Sequence, residues 1–327
     1  AVKANGTELT ENEGVYTISN IHENQNVTVQ GVARDNTAPT VTIHLEENKW
    51  SAFPSGHAFS LFFKNAQTVT ITANDAGSGV AGTEYFVSYV SYASPEALEA
   101  AAKGQWKTYS DSLDIAPNSK NVIYAKATDN MGNVGYASSA GIVLYTDAAQ
   151  STPSISFTKT GTDAVTADVT LNGNTVDEIY CGNDMIAAEN YTVSGGTITF
   201  YASWLNTLSA GNHTLTVHYN PLGVPYVADA GNDTPGTTSI ALSVSKAAGS
   251  VAITNDISKV YDGEPVVDVE YDHNSTGIAK VEYKAQAADD SAYTAEPPYA
   301  VGEYTVRVTV AADDNYTEAS DTKDFTI

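Results

Sequence analysis

The sequence predicts an all-β protein made of tandem antiparallel β-sandwiches with one short helix. Three observations support this fold class. Runs that alternate apolar and polar residues recur about every 8–12 residues, the spacing of strands in sandwiches. Thr, Val, Tyr, Asn, Asp and Gly are abundant and favour strands and turns over helices. The 327 residues suffice for two to four modules of about 100 residues each.

Eight segments carry the clearest strand pattern. In most of them apolar and polar side chains alternate, as expected for a strand with one buried face. Clusters of Asn, Asp, Gly and Ser between the segments predict turns, and the near absence of helical sequence between them predicts antiparallel pairing. The segments are residues 41–45, 68–73, 83–90, 122–127, 197–201, 213–218, 278–283 and 303–310.

One helix is predicted over residues 94–103. Ser94 is the expected N-cap, Pro95 occupies the first helical position, and an alanine-rich run follows. Residues 202–208 predict a single helical turn.

Linker-like stretches rich in Pro and small polar residues divide the chain into four pieces. Residues 1–34 are too short for a sandwich and predict two terminal hairpins, at 14–18 and 26–29. They are interpreted as the end of a preceding module or as strands added to the next one. The other three pieces are each expected to be one sandwich, and they comprise residues 35–148, 149–246 and 247–327. Short linkers between such modules predict a monomeric rod.

Charge and composition exclude several classes of partner. Lys and Arg number 15 and Asp and Glu number 39, so the net charge is −24. Phosphate repels such a surface, so nucleic acid and direct contact with an anionic membrane are not expected. No apolar run approaches the ~20 residues of a membrane span. Cys181 is the single cysteine, so no intrachain disulfide is expected.

Residues 35–148 contain Trp50 and three further distinctive segments, which are residues 59–64, 68–80 and 122–134. Through these residues the piece resembles repeats of large cell-surface proteins from Gram-positive gut bacteria. It implies an immunoglobulin-like sandwich exposed on a bacterial surface.

The two later pieces carry further motifs. In residues 149–246 they are at 171–175, 190–195, 197–200, 202–205 and 208–217, and in residues 247–327 they are at 260–265, 302–306 and 310–316. Through these motifs residues 149–246 are similar to the immunoglobulin-like X module of cellulosome scaffolds and cellulases, and they differ from that family in a longer, more polar last hairpin at 221–232. Residues 247–327 are similar to YDG-type immunoglobulin-like repeats of surface proteins.

These resemblances imply a non-catalytic function outside the cell. The favoured interpretation is a structural or adhesive stalk segment of a bacterial cell-surface protein, with a host or matrix glycan or protein as its partner. The alternative is a glycan-binding accessory segment of an extracellular polysaccharide-degrading enzyme or scaffold. Neither interpretation requires a cofactor.

Motifs that could carry chemistry are weak in this sequence. The run 54–57, Pro-Ser-Gly-His, occurs in acid phosphatases, but the clustered cations that stabilise a transferring phosphoryl group are missing, so a turn is the better interpretation. The six histidines are scattered singly, without the spacing of a transition-metal site. Aromatic residues such as Tyr85, Phe86 and Tyr89 fit either a sugar-stacking platform or core packing. Lys64, Lys126 and Lys159 are placed on or beside strands, where intramolecular isopeptide bonds form in some related modules, and we expect none here.

A calcium site is the strongest prediction of this kind. In a sandwich of this topology, the loops that carry Asp35 and Asn36, Asp75, and Asp129 and Asn130 meet at one end of the module. Calcium prefers carboxylate, amide and main-chain oxygens, which these loops supply. The alternative is that each aspartate only caps its own loop by accepting bonds from nearby main-chain N–H groups.

Overall fold

A computed structural model describes residues 1–31, 34–54 and 56–327 of the chain. These residues form two compact units, Ala1–Leu144 and Tyr145–Ile327. Strands dominate both units, which confirms the predicted fold class. Among the described residues, no helix is long and apolar enough to cross a membrane.

The first unit opens with short strands and continues into a two-sheet sandwich. Its elements are β1 Val2–Ala4, β2 Thr7–Glu8, β3 Glu11–Asn12, β4 Val15–Tyr16, β5 Val27–Val29, β6 Thr40–Leu45, β7 Asn48–Trp50, β8 Phe59–Phe63, β9 Thr68–Asn74, β10 Val80–Ser88, α1 Pro95–Ala101, β11 Lys107–Thr108, β12 Leu113–Asp114, β13 Ser119–Asp129, β14 Val134–Ser138 and β15 Gly141–Leu144.

The short strands before residue 31 differ in part from the prediction. β3 and β4 form the expected hairpin near residues 14–18. The second expected hairpin, at 26–29, is wrong: β5 pairs antiparallel with β1 in a three-stranded sheet of order β2-β1-β5. The sequence did not reveal this because the pairing joins residues that are more than twenty positions apart.

Two sheets enclose the core of the sandwich in the first unit. One sheet has the strand order β11-β10-β13-β15-β8, with β14 also paired to β13, and the other has the order β12-β9-β6-β7. Alternate residues of β6 and β9 face inward, as their period-2 pattern predicts, and pack against the other sheet. All of these pairings are antiparallel except that of β8 with β15, so the expectation of purely antiparallel sheets is corrected there.

Helix α1 covers the outer face of the larger sheet. The Oγ of Ser94 accepts a hydrogen bond from the N–H of Ala97 at 3.3 Å, which confirms the predicted N-cap. Leu98 packs on Tyr124 in a second, smaller core. Glu99 anchors the helix because it accepts bonds from Lys126 Nζ, Tyr136 Oη and Trp106 Nε1. Burial and the Glu99 carboxylate raise the pKa of Tyr136 to about 12.

The second unit holds two further pairs of sheets. Its elements are β16 Ala149–Gln150, β17 Ser154–Thr158, β18 Val165–Thr170, β19 Thr175–Cys181, β20 Asp184–Met185, β21 Tyr191–Ser194, β22 Thr197–Phe200, α2 Ala202–Leu205, β23 Gly211–Asn220, β24 Thr238–Ser245, β25 Val251–Ile253, β26 Tyr271–His273, β27 Ala279–Ala285, β28 Glu303–Val310 and β29 Ala319–Thr326, with 3₁₀ turns at Ala188–Asn190, Pro221–Gly223 and Asp290–Ala292.

Strands β16 to β24 form one sandwich around its own core. A four-stranded sheet of order β16-β18-β22-β21 faces a five-stranded sheet of order β17-β24-β23-β19-β20. Phe200 and Leu215 are fully buried between the two sheets. The edge strand β17 runs parallel to β24, which is the second exception to antiparallel pairing. The last strands form the sheets β25-β26 and β27-β28-β29, whose smaller core includes Val306 and Phe325.

Candidate metal centre

Three of the five predicted calcium ligands lie together in the first unit. Carboxylate oxygens of Asp35, Asp75 and Asp129 all lie within 4.8 Å of one another. The fold explains the meeting, because Asp75 directly follows β9, Asp129 is the last residue of β13, and Asp35 lies shortly before β6. Asp129 is 2% exposed and the other two are half-buried, so three like charges are held close together.

The predicted asparagines take different positions. Asn36 is exposed and lines a surface depression of about 890 Å³ beside Asp35, together with Arg34, Thr37, Gly77, Ser78 and Met131. The Nδ2 of Asn130 donates to the main-chain oxygens of Ser78 (2.7 Å) and Gly79 (3.2 Å), so its side chain fastens the loop after β9.

Main-chain N–H groups surround the three carboxylates. Asp35 accepts from Thr37 (3.0 Å) and from Ser78 (2.8 Å). Asp75 accepts from the N–H of Gly79 at 2.6 Å, and Asp129 accepts from Met131 at 2.9 Å. The loop-capping bonds of the alternative interpretation are therefore present together with the clustering that a calcium site requires.

Two residues that the sequence analysis missed complete this cluster. Asn133 donates through Nδ2 to Asp129 (2.7 Å) and to the main-chain oxygen of Asp35 (3.1 Å), and thereby links two of the three loops. A Cβ on Gly77 would lie 2.3 Å from a carboxylate oxygen of Asp35, so only glycine lets this loop close over Asp35. The Asp-x-x-x-Asn spacing of 129–133 was the available signal for Asn133.

Hydrogen bonds lower the pKa of two of the three carboxyl groups. The N–H groups of Thr37 and Ser78 lower the pKa of Asp35. Burial raises the pKa of Asp129, but the bonds from Asn133 outweigh burial and the pKa is lowered overall. Both groups are therefore carboxylates at neutral pH and can bind a cation without releasing a proton.

The other motifs singled out in the sequence are engaged in packing. Ser55 of the 54–57 motif lies outside the described residues. His57 Nε2 lies 2.8 Å from the hydroxyl of the fully buried Ser138, and burial lowers the pKa of His57. Tyr85 packs in the main core and Phe86 packs under the helix, so both faces of β10 are covered at these two residues, as the core-packing interpretation expects. Tyr89 follows this strand and is 72% exposed.

Comparison with solved structures gives weak overall likenesses. A three-domain immunoglobulin segment of titin, I67–I69, has 11% identity and a TM-score of 0.38 over 88% of this chain and 98% of that one. A tri-modular GH5 (subfamily 4) endo-β-1,4-glucanase from Bacillus licheniformis has 12% identity and a TM-score of 0.28, over 62% of this chain and 38% of that one. Fibronectin(III)-like modules of Clostridium thermocellum CbhA have 10% identity and a TM-score of 0.21, over 62% and 94%.

Comparison with protein families is more specific. No curated protein matches the chain. Residues 150–226 match the model of carbohydrate binding domain X2, which confirms the resemblance of this part of the chain to the X module.

Proposed function

We propose that this chain is a non-catalytic, extracellular accessory segment of a bacterial polysaccharide-degrading enzyme or scaffold, and that it binds a glycan. The match of residues 150–226 to carbohydrate binding domain X2 carries the proposal. It favours the second of the two functions expected from the sequence. The stalk function on a cell surface stays a prediction.

The sandwich of β16 to β24 exposes polar side chains that can bind a ligand. Most of its large apolar residues are buried between the two sheets, and β24 exposes Ser239, Ser243 and Ser245 on its outward face. The hydroxyl groups of such short side chains are available to form hydrogen bonds with the hydroxyl groups of a sugar. An acidic surface with a net charge of −24 disfavours a polyanionic ligand and favours a neutral one.

A panel of polysaccharides tests glycan binding directly. We expect the whole chain to be retarded in gels that contain hydroxyethylcellulose, xyloglucan or xylan, or to be depleted from solution by insoluble cellulose. An unrelated acidic protein of similar net charge serves as the control for charge effects. A chain that binds none of these polysaccharides would contradict the proposal.

Calcium binding at Asp35, Asp75 and Asp129 is a second proposal, and it is favoured by the distance of 4.8 Å within which their oxygens lie. Calcium takes about six to eight oxygen ligands, and three carboxylates with water complete such a shell. A bound divalent cation would neutralise most of the mutual repulsion of the three carboxylates. It would also hold together three segments of the first unit that are far apart in the sequence.

Thermal melting tests the calcium proposal. We expect 1 mM calcium to raise the melting temperature of the first unit by about 5 °C relative to EDTA, because a cation that binds only the folded state stabilises it. The double variant Asp75→Ala/Asp129→Ala should lose this difference, whereas Asp111→Ala, at an exposed aspartate of the same unit, should keep it. An unchanged melting temperature in the unaltered chain, or an equal shift in the double variant, would overturn calcium binding at this cluster.

A further inference from the structure

The outward face of the five-stranded sheet is uncharged across three neighbouring strands. The ladder places Ser154 beside Ala241 and Ala241 beside Thr214, and it places Ser156 beside Ser243 and Ser243 beside Asn212. In β24 the inward residues are buried and the outward ones exposed in strict alternation, so these rows face solvent. In a chain of net charge −24, rows of short hydroxyl and amide side chains are a distinct surface.

These rows surround a shallow depression of about 290 Å³. Ser154, Ser156, Asn212, Ala241 and Ser243 contribute to its lining. Ala241 carries only a methyl group, so the surface dips in the middle of the sheet. Within the described part of the chain, the side chains of Ser154, Ser156, Asn212 and Ser243 have no hydrogen-bond partner. Their donors and acceptors are therefore available to a ligand.

An aromatic pair lies farther along the same face. Tyr180 is the ladder partner of Thr216, and His218 lies two residues after Thr216, so both rings point outward. The ring centroids of Tyr180 and His218 are 5.2 Å apart, and the hydroxyl of Tyr180 donates to Glu178 at 2.7 Å. From Asn212 to His218 the strand runs about 20 Å at ~3.4 Å per residue. This length suits several units of a polymer rather than one sugar.

We propose that this face of β17, β24, β23 and β19 is the glycan-binding surface, with a neutral, extended polysaccharide as its ligand. The inference rests on the proposed glycan-binding function and adds its location and ligand class. The hydroxyl and amide groups of the depression exchange hydrogen bonds with sugar hydroxyls, and the Tyr180–His218 pair packs against the apolar face of a sugar ring. The outward side chains of β17, β24 and β23 supply no Lys or Arg to pair with the carboxylate of an acidic glycan, and the acidic chain repels such a polymer.

Binding to the whole chain is measured in gels that contain hydroxyethylcellulose, xyloglucan or polygalacturonate. We expect the unaltered chain to bind a neutral polymer and not polygalacturonate. Ala241→Glu, which fills the depression, and Tyr180→Ala/His218→Ala, which removes the rings, should each weaken binding about tenfold. Thr166→Glu is the matched control because Thr166 is exposed on the opposite sheet, and it should bind normally. Melting curves verify that each variant is folded.

The outcomes separate the two proposals. If the unaltered chain binds a neutral polysaccharide and the variants of this face bind it equally well, the location is wrong and the proposed function stands. The same conclusion follows if Thr166→Glu weakens binding as much as Ala241→Glu does. Equal binding of polygalacturonate overturns the ligand class. If the unaltered chain binds no polysaccharide, the proposed function fails and this inference fails with it.

Discussion

Replacing Tyr124 with alanine is expected to lower the free energy of unfolding of the first unit by about 4 kcal/mol, the range for removing a buried aromatic ring. Tyr124 is 0% exposed and is the centre of the core under helix α1. Its ring lies 5.6 Å from that of Tyr92 and 5.7 Å from that of Phe53, measured between centroids. Phe53 and Tyr92 lie in the segments after β7 and before α1, and we expect them to fill only part of the space left by the ring.

Tyr124→Phe is the matched comparison. It keeps the ring and removes only the hydroxyl, which accepts a bond from the N–H of Tyr92 at 2.9 Å. We expect this variant to lose about 1 kcal/mol, the usual net value of one hydrogen bond. Hydrogen exchange followed by mass spectrometry measures both effects locally. Peptides from α1 and β13 should lose protection in Tyr124→Ala, while those from β17 to β24 should not change. Equal protection in Tyr124→Ala and Tyr124→Phe would contradict the central role of the ring.

The positions of many strands were predictable because those strands have one buried face. The observed β6 Thr40–Leu45 and β28 Glu303–Val310 lie within one residue of their predicted limits. In both strands apolar residues alternate with polar ones, and period-2 alternation is a local property of the sequence. The N-cap of the helix was predictable for the same reason, since Ser94 and Pro95 are neighbours in the chain.

The second core was harder to predict because both faces of β13 are buried. Ile123 and Ala125 face the main core, whereas Val122 and Tyr124 face the helix. A continuous apolar run such as 122–127 indicates a strand, but it does not show what covers the second face. That depends on α1, which lies more than twenty residues earlier in the chain.

The candidate sites also contain parts that the sequence predicts and parts that it does not. The topology of the sandwich was enough to predict that the loops of Asp35, Asp75 and Asp129 meet, because these loops lie at the same end of the sandwich whatever their exact length. The bonds of Asn133 and the closure of the loop over Asp35 at Gly77 depend on side-chain positions that the sequence does not give. The uncharged face depends on the register between β17 and β24, which joins Ser156 to Ser243 across a long separation in sequence.

A second large loss of stability is expected when Lys159 is replaced. This residue directly follows the edge strand β17. This lysine is only 5% exposed, and its Nζ donates to the main-chain oxygens of Asn206 and Leu208, just beyond the end of α2. Both oxygens belong to the turn that follows α2, so the Lys159 side chain joins the edge strand to that turn.

Replacing Lys159 with methionine keeps most of the volume of the side chain and removes the donor. We expect Lys159→Met to lower the free energy of unfolding of the β16–β24 sandwich by about 3 kcal/mol, because the carbonyl oxygens of the half-buried Asn206 and Leu208 lose their charged donor. Lys103→Met, at an exposed lysine, should change stability by less than about 0.5 kcal/mol. Denaturant unfolding followed through the fluorescence of Trp204, which packs on Phe200 in this sandwich, measures the change.

The same lysine tests the expectation that no isopeptide bond forms. The side-chain amide of Asn206 is engaged elsewhere, because its Nδ2 donates to the main-chain oxygens of Gly161 and Ala202, both at 2.9 Å. The Lys159 amine therefore acts as a hydrogen-bond donor, and the intact mass of the chain should equal that of the unmodified sequence. An intact mass short by one ammonia that returns to the sequence value in Lys159→Met would replace this account with a covalent crosslink. A Lys159→Met variant as stable as the unaltered chain would show that the two carbonyls find other donors.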